Sequence, residues 1–199
     1  MHRAWMGLCL VVALTAAACG GESTLTEYVE QVNAAINRGM SRYEVIIAGP
    51  QGQVLVAQGE DLYDFTPQDL QAGLEQVAAL QTEIMEIVDD IEPPEQVAEL
   101  HVLFFRTLPV ADLATRAGNA ASWEELSESP EMAAYRDALV ADRQVCADFQ
   151  DKLDATEQRG VFEDTPWIPG EFKEIVDTAI GCDALPENPQ DMYRPPATP

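Results

Sequence analysis

The feature that most limits what this chain can fold into is a set of one-sided apolar stripes, bracketed by strong helix signals. Leu70, Leu74, Val77, Leu80, Ile84, Ile87 and Ile91 recur every third or fourth residue, which puts them on one face of an α-helix. Thr66-Pro67-Gln68-Asp69 precedes them, supplying a hydroxyl cap, a proline at the first helical position and an acid at the third. Glu92-Pro93-Pro94 stops the run, because proline lacks an amide donor and drives the residue before it out of helical geometry. Pro94 then opens the next stripe, Val97, Leu100, Phe104, Leu108 and Ala111. So short a turn between two long helices predicts antiparallel packing. Pro109 predicts a kink or a split near Leu108.

The same logic extends to both sides. Leu25, Val29, Val32, Ile36, Met40, Tyr43 and Ile47 form an earlier stripe, with Thr24 and Glu27 at capping-box spacing. Its exit, VIIAGPQGQVLVA at residues 45–57, reads as helix then loop; two β-runs around the Gly-Pro turn are the alternative. Gly118-Asn119 closes the third segment, and Ser122 to Glu125 has capping-box form for a brief helix around Trp123. Ser129-Pro130 starts a long helix with Met132, Tyr135, Leu139, Cys146, Phe149 and Leu153 inward. After a rigid connector at residues 165–170, Phe172, Val176 and Ala179 mark a short last helix that ends at Gly181. From Asn188 the tail is rich in proline and polar residues, which predicts disorder over 188–199. The expected fold is all-α: an up-and-down bundle of four main helices plus a short C-terminal helix, occupying 24–187.

Residues 1–18 form a separate unit. Met1, His2 and Arg3 are followed by an apolar run from Ala4 to Ala18 with no charged side chain. A spanning helix takes roughly 20 apolar residues, so this run has the shape of a cleavable export signal. Its end, Ala16-Ala17-Ala18-Cys19, resembles the lipobox of bacterial lipoproteins. That resemblance implies a diacylglyceryl group on the Cys19 thiol, cleavage before it, and often a further acyl chain on the new amino end. Ala16 stands where the family usually has Leu. The three alanines also suit an ordinary signal peptidase, which would release a soluble protein, and a retained signal anchor is a third reading. On the lipobox reading residues 19–23 are a short lipidated tether, and the protein sits outside the cytoplasm on the bacterial cell membrane.

Charge excludes one class of partner. The chain carries 35 acidic and 11 basic residues, a formal net charge of -24. Removing the signal takes away Arg3 and no acid. Such a surface repels nucleic acid, whose phosphates need a basic footprint, and repels anionic headgroups as well. Its simplest role is to solvate helix faces, with attraction of divalent cations or a basic partner as the functional alternative.

Of the four cysteines, Cys9 leaves with the signal and Cys19 is the lipid site, so Cys146 and Cys182 remain. An even pair in an exported protein reads as a disulfide. It would close a loop of about 37 residues and contribute roughly 4 kcal/mol on the chain-entropy account. A metal-binding or redox thiol pair would favour the close C-x-x-C spacing that is missing here.

Little else in the sequence carries chemistry. His101 lies at the border of its apolar stripe. As a metal ligand it needs partners at Glu-x-x-His or His-x-x-x-His spacing, but Ala98 occupies the first position and the mature chain has no second histidine. A packed, hydrogen-bonded helix histidine is the plainer reading. Glu60, Asp61 and Asp64 are the candidate cation ligands, although they lack the alternation and glycine of an EF-hand. Glu83, Glu86 and Asp90, and Asp148, Asp151 and Asp154, read as solvated faces. The aromatics Trp123, Tyr135, Phe149, Trp167 and Phe172 read as core, with a pocket lining as the alternative. No nucleophile elbow, phosphate loop or triad set is present, so neither an enzyme nor a cofactor is expected.

The run from Pro93-Pro94 to His101 within ELHVLFF is similar, in a general way, to helical-bundle lipoproteins of uncharacterised function with a proline-proline turn and a histidine shortly after. It implies a helical surface lipoprotein and no activity. The expected role is a binding or scaffold module for a protein or envelope partner; a small-ligand or divalent-cation carrier is the alternative.

Overall fold

The computed structural model describes residues 24–104, 108–180, 182, 185 and 188–195. The helices are α1 (Leu25–Ala48), α2 (Pro67–Asp89), α3 (Ala98–Phe104), α4 (Val110–Asn119), α5 (Trp123–Ser127), α6 (Pro130–Gln158) and α7 (Ile168–Ile180), and no strand occurs among the described residues. The described residues form an all-α, up-and-down bundle stapled by the Cys146–Cys182 disulfide.

Each long helix begins where its cap dictates. The Thr24 hydroxyl accepts from the Glu27 amide at 3.2 Å, and the Glu27 carboxylate accepts from the Thr24 amide at 3.0 Å. Thr66 and Asp69 repeat the arrangement at the start of α2, and Ser129 takes the Met132 amide at the start of α6. These bonds satisfy amides that have no partner inside the helix, and they hold the Glu27 and Asp69 carboxyls below the usual range. Residues 45–57 run on as helix to Ala48 and then, after a turn, as a 3-10 turn at Gln53–Leu55.

α1 and α2 pack antiparallel. Gly39 faces Ile84, and Glu83 pairs with Arg38 and Arg42 across the same interface. The third segment is split, as Pro109 implies, and its halves part company. α4 lies along α2, while α3 packs against α6 and α7. The expectation of one helix antiparallel to α2 over its full length therefore holds only for α4. The break frees α3 to follow its own apolar face, where Leu100 is buried, with Val97 buried in the 3-10 turn just before it.

The core has two lobes. One gathers Tyr28, Val29 and Val32 of α1, Val88 of α2, Leu100 of α3, Phe149 and Leu153 of α6, and Phe172 and Ile175 of α7. The other gathers Val54, Leu55, Leu70, Leu74, Leu113, Trp123, Met132 and Tyr135. α1, α2 and α6 each contribute side chains to both lobes. Of the aromatics read as core, Trp123, Tyr135, Phe149 and Phe172 are buried and Trp167 is exposed.

The tail is a correction. Part of the segment expected to be disordered is ordered: residues 188–194 fold back as a strap with a 3-10 turn at Pro189–Asp191. Tyr193 is 2 % exposed and belongs to the second lobe, with its ring 6.3 Å from those of Trp123 and Tyr135. Its backbone is left-handed, with φ 50, at a cost of about 1–2 kcal/mol for a residue with a Cβ. Burying a large aromatic side chain returns about 1.5–3 kcal/mol, and its hydroxyl gains a bond to the Leu55 carbonyl. Burial wins, so the strap stays down.

Candidate functional site

The sequence-selected residues fall in four places. Cys19 lies outside the described residues. Cys146, in the middle of α6, and Cys182, just past α7, are bonded to each other with Cα atoms 6.0 Å apart. The staple fixes the end of α7 against α6, so whatever follows Cys182 starts from a pinned point.

His101 sits on α3 and turns toward α1. Its Nδ1 is 2.8 Å from the Tyr28 hydroxyl, and the two rings lie 5.7 Å apart, tilted by 55°. Burial raises the Tyr28 phenol, so it keeps its proton. Burial also pushes His101 below its ordinary value, outweighing the opposite pull of Asp89. A neutral imidazole with Nδ1 accepting from Tyr28 satisfies both groups, and the ring proton then resides on Nε2. His101 therefore joins α1 to α3 as a hydrogen-bonded packing residue. Phe172 lies 6.1 Å from Tyr28 on the other side, which ties α7 into the same cluster.

Glu60, Asp61 and Asp64 fall on a 3-10 turn, Gly59–Asp64, and all three are exposed. They do not converge. Among the described residues no group of three or more histidine, cysteine or acidic side chains is placed to hold a metal ion. No described helix is long and apolar enough to cross a membrane.

The most constructed polar site is one the sequence reading missed. Arg136 lies on α6, one residue from Tyr135 on the inward side, and is 5 % exposed. Its Nε and Nη2 donate to the Met192 carbonyl at 2.9 and 2.7 Å. Its Nη1 donates to the Ser127 carbonyl and its Nη2 to the Ser127 hydroxyl, both at 2.9 Å. Ser127 ends α5, where carbonyls lack partners inside the helix, so Arg136 caps α5 and clamps the strap with one guanidinium. Burial pushes Arg136 down from its ordinary value, the nearby Arg194 adds to this, and Asp191 opposes it. It remains a cation throughout the physiological range.

Beside it opens a cleft of about 320 Å³ lined by Glu124, Ser127, Glu128, Arg136, Arg194 and Pro195. α5 supplies one wall, the strap another, and α6 the buried guanidinium. Two signals pointed to this region: an arginine among the inward positions of α6, and a Met192-Tyr193 pair in an otherwise polar tail. Neither is visible in a search for catalytic spacing. No family model matches the chain, and no curated protein or solved structure is significantly similar to it.

Proposed function

We propose that the protein works outside the cytoplasm, held to the bacterial cell membrane by lipid on Cys19, as a binding or scaffold module for a protein or envelope partner. The observation that carries this address is the Cys146–Cys182 disulfide, because such bonds persist in oxidising compartments and are rare in the cytosol. It agrees with an export signal at residues 1–18. α1 begins at Leu25 behind its Thr24 cap, so the five-residue tether reaches no further than about 18 Å even when extended. A strongly acidic bundle is thereby kept next to the bilayer and presents its surface outward.

Two measurements test the reading. Replacing Cys19→Ala should shift the protein out of the membrane fraction or leave it unprocessed; an unchanged membrane fraction overturns the anchor. Crosslinking in intact cells followed by mass spectrometry should recover the same partner in repeated experiments, and failure to do so overturns the binding role.

The second reading is a small-ligand carrier, and the cleft beside Arg136 favours it. A divalent-cation carrier has less support, since Glu60, Asp61 and Asp64 do not converge.

A further inference from the structure

We propose that the cleft between α5 and the C-terminal strap binds a small zwitterionic α-amino acid, with its carboxylate against Arg136 and Arg194 and its ammonium against Glu124 and Glu128. The inference deepens the small-ligand reading and holds whether or not Cys19 carries lipid.

The first support is a buried cation to which no carboxylate is bonded. In a chain with 35 acidic and 11 basic residues, a guanidinium that is 5 % exposed would be expected to find a carboxylate. No carboxylate among the described residues forms a hydrogen bond or ion pair with Arg136, and Asp191 acts on it only through space. Every hydrogen bond it makes goes to a neutral oxygen, of Met192 or Ser127. Taking a cation out of water without a paired anion is expensive. The nearby acid of the strap, Asp191, is already committed: one oxygen takes Arg194 at 2.9 Å and the other takes the Asn188 amide at 2.6 Å.

The second support is an open donor. A guanidinium has five N–H groups, and those of Arg136 serve four bonds, which leaves one on Nη1, and Arg136 lines the cleft. Arg194 brings a second guanidinium to the same lining, so two of the chain's few cations meet at one opening. An anion placed there relieves their mutual repulsion.

The third support is the opposite wall. Glu124 and Glu128 line the same cleft, and they penalise a simple anion. A ligand with both charges on neighbouring carbons answers the two walls at once. The volume, about 320 Å³, lies at the small end of the roughly 300–1,000 Å³ typical of ligand sites, which suits a metabolite and not a folded partner.

The test uses the full chain purified in mild detergent and titrated with glycine, L-alanine and L-glutamine, with acetate and methylamine as half-ligands. Heat denaturation should move upward with an amino acid in a saturable way, and the side-chain Nε–H resonances of Arg136 and Arg194 should shift. Arg194→Gln and Glu128→Gln, both at the surface, should each weaken binding by about tenfold or more while leaving the ligand-free melting temperature in place. Three outcomes overturn the proposal: no shift with any amino acid up to about 50 mM, the same affinity in both variants as in the parent, or acetate binding as tightly as the amino acids.

Discussion

The phenol of Tyr193 donates a hydrogen bond to the carbonyl of Leu55 at 3.0 Å, joining the C-terminal strap to the 3-10 turn that follows α1. The two residues stand 138 positions apart, so the bond closes the second lobe of the core from the far end of the chain. Burial drives this phenol well above its ordinary value, with Tyr135 and then Tyr43 adding to the effect, and it stays a donor at physiological pH.

Tyr193→Phe keeps the ring and removes the donor. It leaves the buried Leu55 carbonyl without that partner, at an expected cost of about 1–3 kcal/mol. Tyr193→Ala also empties the space beside Trp123 and Tyr135, raising the cost to about 3–5 kcal/mol. Urea denaturation of the two variants checks the order, and Trp123 fluorescence reports whether the second lobe loosens first. Equal stability of Tyr193→Ala and the parent would contradict the strap as a part of the core.

What the sequence made legible follows from how local the deciding forces are. The starts of α1, α2 and α6 are set by a hydroxyl cap within three residues of the amide it takes, so Thr24, Thr66 and Ser129 could be read directly. The split at Pro109 was equally local. The separation of α3 from α2 was not, because it depends on which neighbour can receive Leu100 and Val97 once the helix is broken. The strap was illegible for a related reason. Tyr193 is held by Leu55, Trp123 and Tyr135 and its neighbour Met192 by Arg136, none of them near in sequence, and composition alone weighed the tail's prolines against it. His101 lay between these cases: its border position could be read from its stripe, but its partner Tyr28, on another helix, could not.

Gly52 tests the turn between α1 and the strap's acceptor. A Cβ at this position would overlap the Ile46 carbonyl oxygen and stand 2.7 Å from the Ile47 Cα, and backbone atoms cannot move aside as a side chain can. Gly52→Ala should destabilise by about 3 kcal/mol, the upper end of the usual overpacking range. Gly170, exposed in α7, has nothing within 4 Å of its Cβ position. Gly170→Ala should instead stabilise by about 0.5–1 kcal/mol through helix propensity. Opposite signs for the same substitution, measured by denaturant midpoint, are the expected result.

The disulfide should matter more than any surface ion pair. Cys146 and Cys182 are separated by 36 positions, and opening that loop in the unfolded chain removes about 4 kcal/mol on the entropy account. Exposed pairs such as Arg38 with Glu83 contribute about 0–1 kcal/mol. Reduction should therefore lower the denaturant midpoint strongly, and thiol labelling of the unfolded, unreduced protein should find neither cysteine reactive.

Protonation of His101 should loosen the α1–α3 contact. Its folded-state value is depressed, chiefly by burial, so the folded protein binds this proton less readily than the unfolded chain does. By linkage, stability at this site is complete above the ordinary value of about 6.5 and declines as pH falls below it toward the folded value. Protonated Nδ1 also ceases to accept from Tyr28, whose hydroxyl must then turn to accept instead. Many carboxylates titrate at lower pH, so the informative quantity is the difference between the parent and His101→Gln, followed by melting temperature from pH 7.5 to 5. The parent should lose stability faster than the variant across this window, and parallel curves would show that the imidazole's proton does not couple to folding.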